Sequence, residues 1–476
     1  MNKNVKALFS DTVVLGLGTF LSKLLVLLLM PLYTSYLSPE MYSTADLITQ
    51  TANLLMPFAM LGIVDAVFRF VFDNNRAHGT VLSTGLFILL GGMGAFALIS
   101  PLLYFVPKVG GYFWLVAIYV ISADIHSLFA NYIRAQGRTK LFALQGIINT
   151  AATIVLNIVF LVVFEMGIIG YVLSVIVANA VVTVIILLTA RPLSNVRLRS
   201  FDAKLAREML RYCIPIIPTT IFWWITNVSD RYIVSMMCSD EINGLYAAAY
   251  KIPTLLTLAT TVFNEAWQKF AFTDKRNDAL KNDSASEDKV NAYYYETAFS
   301  AFSSFIFIAC SGLLLLAKPM SDLLLASQYD GAWIYTPVLL AATVFTSLVT
   351  FLASVYSLKK KTMISLWTAM LGAVLNIILN ITLVPKIGAL GAAIATLASY
   401  MTVFFIRAQS VKKYLKFRIY SVTLFVNIAI VLIQCFAATY SGAPMYLIQG
   451  ILLGAMLCFN LPNLVDIALK IFKGKN

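Results

Sequence analysis

The chain is dominated by apolar runs of membrane-spanning length, and their repetition leaves very few folds open to it. A helix crossing the hydrocarbon layer needs about 20 apolar residues. The sequence offers about fourteen such stretches, near 12–36, 44–70, 81–106, 112–133, 141–164, 167–190, 213–237, 244–271, 293–316, 332–357, 362–384, 388–407, 420–439 and 444–467. Backbone groups in lipid must be satisfied inside the protein, so these runs are read as helices. With 60% hydrophobic and 12% charged residues over 476 positions, against about a quarter charged in soluble domains, the prediction is an all-α polytopic membrane protein. Lys3 and Lys6 ahead of the first run imitate a signal peptide, but that run's length and the runs that follow favour a retained helix.

Charge orients the helices. With the N-terminus inside, 29 of the 35 Lys and Arg fall in cytoplasmic segments, against Lys108, Lys318 and Lys386 outside. That asymmetry predicts both termini in the cytoplasm. The net charge of +13 is therefore a topology signal, and no nucleic-acid partner is expected. Cys213, Cys238, Cys310, Cys435 and Cys458 lack metal-ligand spacing and His78 and His126 stand alone, so no metal site is expected.

The chain carries a weak internal repeat. Asp65 to Phe72 (DAVFRFVF) matches Glu265 to Phe272 (EAWQKFAF), and Ser38-Pro39-Glu40 matches Ser239-Asp240-Glu241. Further on, Arg138-Thr139 matches Lys361-Thr362 and Gly167-Ile168-Ile169-Gly170 matches Gly388-Ala389-Leu390-Gly391, after a hydrophilic insertion at 273–292. Two copies of six helices share one orientation and are expected to enclose a central cleft. The predicted division is 1–195 and 196–410 for the two lobes, with two additional helices in 411–476.

Three cations, Lys23, Arg231 and Lys251, lie inside these runs. Each costs about 2.5–3.5 kcal/mol at the centre of a membrane helix, so each needs a partner, water or an anionic ligand. Helical spacing sets Asp46, Gln50, Asn53 and Pro57 along one stripe, Lys251, Thr254, Leu258, Thr261 and Glu265 along another, and Asn227 with Asp230 and Arg231 on a third. Two readings stay open: Asp46, Asp230 or Asp124 neutralise the cations in buried ion pairs, or the cations bind an anion in the cleft with Gln50, Asn53 and Asn227 as hydrogen-bonding partners. Asp46, Asp124, Asp230 and Glu265 are also candidates for Na⁺ or H⁺ coupling. Arg69 and Lys269 either snorkel to head groups or form a cytoplasmic gate with Asp65 and Glu265.

Several segments resemble a known family. Ser10-Asp11-Thr12, Gly16 to Lys23 (GLGTFLSK), Pro31-Leu32-Tyr33-Thr34, Leu37 to Glu40 and Ala45-Asp46-Leu47 are similar to the start of polysaccharide-type (O-antigen or capsule repeat-unit) flippases of the multidrug/oligosaccharidyl-lipid/polysaccharide (MOP) superfamily. Arg134 to Lys140 (RAQGRTK), Asp230-Arg231-Tyr232, Gly244-Leu245-Tyr246 and Tyr250 to Pro253 (YKIP) extend the resemblance over essentially the whole chain. It implies a bacterial inner-membrane transporter without enzymatic activity or cofactor. Such a transporter moves an undecaprenyl-pyrophosphate-linked oligosaccharide outward by alternating access and works alongside membrane lipids and polysaccharide polymerase machinery. Lys23, Arg231 and Lys251 stand where that family's basic cleft residues are expected. In relatives carrying cell-wall precursor the two C-terminal helices help form a groove for the lipid tail. The competing readings are a lipid-linked peptidoglycan-precursor flippase and a cation-coupled multidrug extruder of the same superfamily. The outer connection near 317–331 is too short for a catalytic domain.

Overall fold

The computed structural model describes residues 24–25, 27–72, 77–196, 200–273, 284–359, 361–438, 440 and 442–472. All regular structure among them is helical. Two compact units divide the chain, Met1–Tyr232 and Ile233–Asn476. The first holds α1 (Met30–Tyr36), α2 (Pro39–Ala59), α3 (Ile63–Phe72), α4 (His78–Ile99), α5 (Phe113–Ala135), α6 (Thr139–Asn157), α7 (Gly167–Ala190), α8 (Ala203–Cys213) and most of α9 (Ile217–Met237). The second holds α10 (Asp240–Ala249), α11 (Pro253–Thr273), α12 (Ser284–Leu324), α13 (Thr336–Leu358), α14 (Thr362–Ile387), α15 (Ala389–Val411), α16 (Val422–Ala437) and α17 (Ala443–Phe472).

Nine of the described helices are long and apolar enough to span a membrane, and a tenth span forms if α2 and α3 count as one. The remaining expected spans fall on α9 and α11, on the shorter apolar α16, and on the first run, most of which lies outside the described residues. Leu98 (84% exposed), Phe105 (79%), Leu323 (76%) and Val422 (76%) project outward. Apolar surface of that kind needs lipid around it.

Two runs predicted as single helices are broken. Between α2 and α3 the axis turns by 57° at Met60–Gly62, where Leu61 (φ +52°) and Gly62 (φ +66°) both enter the left-handed region. Pro57, inside the last turn of α2, removes one backbone donor just ahead of the bend. Residue 62 has to be small as well as left-handed, because a Cβ there would lie 3.0 Å from the Cβ of Cys213. In the second unit the predicted run 244–271 stops at Ala249 and restarts at Pro253, since Ile252 precedes a proline and is steered away from helical angles.

The repeat is visible in local geometry. Ser38 caps α2 by accepting from the Met41 N–H (3.3 Å), and Ser239 caps α10 by accepting from the Ile242 N–H (3.1 Å). The turn entering α6 closes with the Arg138 N–H donating to the Ile133 carbonyl (3.1 Å), and the turn entering α14 closes with the Lys361 N–H donating to the Tyr356 carbonyl (2.7 Å). Both bonds span five residues. The two copies differ where the chain bends, late after Ser38 and early after Ser239.

In the first unit α5 is the central helix, burying Leu115, Val116, Val120, Leu128, Tyr132 and Ile133 completely against α2, α3, α4, α6 and α7. In the second, α13 packs on α15, α12 and α11, and Phe351 stacks with Phe302 (5.7 Å) and Trp267 (5.6 Å). The α14–α15 hairpin depends on Gly391, where a Cβ would fall 2.7 Å from the Leu383 carbonyl. Gly391→Ala must therefore push the two helices apart, an overpacking worth about 1–3 kcal/mol. Its thermal midpoint in detergent is expected to fall clearly below that of Gly94→Ala, whose Cβ meets nothing within 4 Å; equal midpoints would show that the close approach is unimportant.

Candidate functional site

The polar residues of α2 and α9 meet inside the first unit. Asp46 and Arg231 are 2% and 7% exposed, and Arg231 Nη1 donates to Asp46 Oδ2 at 2.5 Å. A carboxylate and a guanidinium desolvated together attract strongly, and their separation would leave a charge stranded in a weakly polar interior. Three neighbouring bonds fix the register of the pair. Trp224 Nε1 donates to the Gln50 carbonyl (3.0 Å), Tyr232 Oη donates to the Leu47 carbonyl (3.2 Å), and Tyr232 Oη also meets Thr51 Oγ1. Their spacing along α9, residues 224, 231 and 232, matches two turns of helix laid against Asp46 to Thr51 on α2.

The other predicted residues are distributed around this pair. Gln50 Nε2 reaches Asp46 Oδ1 at 3.5 Å, whereas Asn53 is exposed and Asn227 Nδ2 donates to the Trp223 carbonyl of its own helix (2.6 Å). Asp230, wholly buried, accepts from the Arg231 backbone N–H at 2.9 Å. Asp124 on α5 is also wholly buried, and neither of its carboxylate oxygens has a hydrogen-bond partner. Asp65 and Arg69 on α3, beyond the bend, are both exposed, and the Arg69 guanidinium lies 4.6 Å over the Tyr212 ring.

Lys251, in the second unit, is half-buried in the break between α10 and α11, where its N–H donates to the Ala248 carbonyl (3.0 Å) and its carbonyl accepts from Thr254 Oγ1. Lys23 lies outside the described residues. Glu265 and Lys269 are on α11, and their side chains lie outside what is described. No group of three or more potential metal ligands occurs among the described residues.

One buried cation escaped the sequence reading. Arg407, counted there among the cytoplasmic basic residues, is 0% exposed because α15 continues to Val411 instead of ending at 407. Its Nε donates to Thr368 Oγ1 (2.9 Å), Nη1 to the Val349 carbonyl (3.0 Å), and Nη2 to the Ser365 carbonyl (3.1 Å) and Oγ (3.2 Å). It ties α13, α14 and α15 together. The sequence on its C-terminal side, Ala408-Gln409-Ser410-Val411-Lys412-Lys413, reads as a helix end and gave no signal of burial.

Comparison with known proteins fits this architecture. The profile of a family described as polysaccharide biosynthesis protein matches residues 8–267. No curated protein matches the sequence. Among solved structures the fold is similar to that of the lipid II flippase MurJ in an inward closed conformation, with a TM-score of 0.68 and 16% identity over 97% of this chain and 99% of that one. It is also similar to an inward-facing multidrug resistance MATE family transporter of the MOP superfamily, with a TM-score of 0.65 and 15% identity over 82% of this chain and 95% of that one. A MOP superfamily transporter from Pyrococcus furiosus gives 0.57 and 15% over 86% and 96%. These likenesses establish the MOP fold. With 97% of this chain covered, the overlap reaches into the C-terminal pair α16 and α17, which is longer than the fraction left unmatched.

Breaking the buried pair tests its role in folding. Asp46→Asn and Arg231→Gln each strand a charge and are expected to destabilise by about 3–5 kcal/mol. The double substitution strands none and is expected to recover much of that loss. Thermal midpoints of the four proteins in detergent measure the coupling, and strictly additive losses would show that the two side chains act independently.

Proposed function

The chain belongs to the polysaccharide biosynthesis protein family, and on that premise we propose that it is a MOP-type flippase moving an undecaprenyl-pyrophosphate-linked oligosaccharide from the cytoplasmic to the outer leaflet of a bacterial inner membrane by alternating access. The observation that carries this reading is Arg231, a guanidinium buried on α9 within the expected run 213–237. Together with Lys23 and Lys251 it offers the positive charge that a pyrophosphate requires and that a cationic drug would not. Planar Arg donors and Lys point charges both suit phosphate oxygens. Gln50, Asn53 and Asn227 supply hydrogen bonds for sugar hydroxyls.

In this reading Asp46 is the resting counter-ion of Arg231, and the pyrophosphate competes with it for the same guanidinium. Neutralising Asp46 with H⁺ or Na⁺ releases Arg231 to the phosphate, which links cation movement to substrate binding without a further device. Asp124, with no bond to its oxygens, is the second carboxylate assigned to coupling. Both termini face the cytoplasm, and the exported unit passes to polysaccharide polymerase machinery. The overlap with the lipid II flippase across α16 and α17 favours a lipid-linked peptidoglycan precursor as the second reading.

Complementation of a strain lacking its own glycan flippase tests the proposal. The wild-type protein is expected to restore surface glycan. Lys23→Ala, Arg231→Ala and Lys251→Ala, at matched membrane expression, are expected to lower export about tenfold or more, the scale of one lost charge-assisted bond. Normal export by all three variants would falsify the anion site. Rescue of a strain lacking its lipid II flippase, with no glycan phenotype, would move the assignment to the cell-wall precursor, and drug resistance alone would move it to extrusion.

A further inference from the structure

Helix α8 lies between two spans of the first unit and does not itself span a membrane. Asp202 caps it, its carboxylate accepting from the N–H groups of Lys204 (2.8 Å) and Leu205 (3.1 Å). One face is sealed into the unit: Leu205, Met209 and Cys213 are completely buried against α3 and α4, and Cys213 Sγ donates to the Gly62 carbonyl (3.0 Å) at the α2–α3 bend. That contact fixes the helix to a rigid corner.

The opposite face is neither sealed nor polar throughout. Arg207 and Arg211 sit one turn apart and exposed, with Leu210 and Ile214 on the same side. Together with Phe201 and Ala206 they line a shallow, open groove of about 530 Å³, apolar between the two arginines. Phe201 and Ile214 are 47% and 58% exposed. Water is a poor occupant for such a groove, and a soluble anion would gain nothing from its apolar walls. An amphiphile with a negative head and an aliphatic tail satisfies both features.

The surroundings have the same sign. Arg69 lies against Tyr212 of α8, Arg134 lies over Phe68 and Phe142, and Arg138 Nη1 donates to the Ala190 carbonyl at the end of α7 (3.4 Å). This end of the unit therefore gathers basic side chains from α3, α5, the turn before α6, and α8. The nearby carboxylates are Asp65, Asp202 and Glu208, and Asp202 is occupied as the cap. Basic residues gathered at one end of a set of spans mark the cytoplasmic side, where the leaflet is anionic and attracts positive segments.

We propose that the outer groove of α8 holds an anionic phospholipid of the inner leaflet, its phosphate between Arg207 and Arg211 and one acyl chain along Phe201, Leu210 and Ile214. The bound lipid covers the apolar groove and pins α8, and through Cys213 and Gly62 the α2–α3 bend, to the membrane interface. The site is separate from the Asp46–Arg231 pair and independent of which lipid-linked glycan is carried.

The test uses the full-length protein, equilibrated with vesicles of equal phosphatidylglycerol and phosphatidylcholine, extracted in mild detergent and analysed for retained lipid by mass spectrometry. The wild type is expected to retain phosphatidylglycerol selectively. Each arginine removed, in Arg207→Gln and then Arg207→Gln/Arg211→Gln, is expected to reduce that selectivity about fivefold. Ile214→Gln, which leaves both arginines in place, is expected to weaken retention of phosphatidylglycerol as well. Equal retention of the two lipids by the wild type, or unchanged selectivity in the double variant, overturns the proposal. Glycan export is scored separately, so loss of the lipid site and loss of the transport reading give different results.

Discussion

Hydrocarbon offers no hydrogen-bond partner, so polar groups that the spans carry are driven to find one inside the protein. That requirement explains most of the side-chain geometry. Threonine and serine hydroxyls turn back onto the carbonyl three or four residues earlier, as Thr51 does to Leu47 (2.6 Å) and Ser399 to Ala395 (2.7 Å). Amides pair between helices: Asn427 and Asn460 exchange bonds of 2.8 and 2.7 Å between α16 and α17, and Asn463 donates to Ser300 and Ser304 of α12. The two C-terminal helices are thereby bonded to each other and to the body of the second unit, as polar side chains commonly join helices where lipid supplies no hydrophobic drive.

The helical class and most of the spans were legible because they depend on composition and length, which a window along the sequence reports. The repeat was legible at Ser38 and Ser239, at Arg138 and Lys361, and at Gly170 and Gly391, because caps, turns and close approaches demand particular residue types at particular positions. The bends were harder. Pro57 and Pro253 were visible in the sequence, yet the residues that turn are Leu61 with Gly62 in one unit and Tyr250 to Ile252 in the other. A leucine with positive φ has no sequence signature, since the surrounding packing imposes it.

Partner choice was the least legible property of the site. The sequence placed Asp46, Asp230 and Arg231 on stripes and left open which acid would meet the guanidinium. Helical phase alone cannot decide between them, because it says which residues share a face and not which faces meet. The bonds from Trp224, Arg231 and Tyr232 to Gln50, Asp46 and Leu47 of α2 bring the Arg231 side chain to Asp46, while Asp230 accepts from the Arg231 backbone N–H. Arg407 was missed for a related reason: a cation close to the end of an apolar run reads as interfacial unless the helix is known to continue.

Arg231 and Arg407 solve one problem in two ways, and the difference bears on function. Arg407 spreads its donors over a threonine hydroxyl, two carbonyls and a serine hydroxyl from neighbouring helices. An anion could reach it only by breaking four hydrogen bonds that hold α15 to α13 and α14. Arg231 has a carboxylate as its side-chain partner, and a carboxylate can be traded for another anion or neutralised by a single cation. A guanidinium held by many neutral oxygens is therefore suited to fixing helices, and one paired with an acid keeps a partner that a proton or a competing anion can displace. The chain contains both arrangements, one in each unit, and the pair with Asp46 lies on the two helices that also carry Gln50, Asn53 and Asn227.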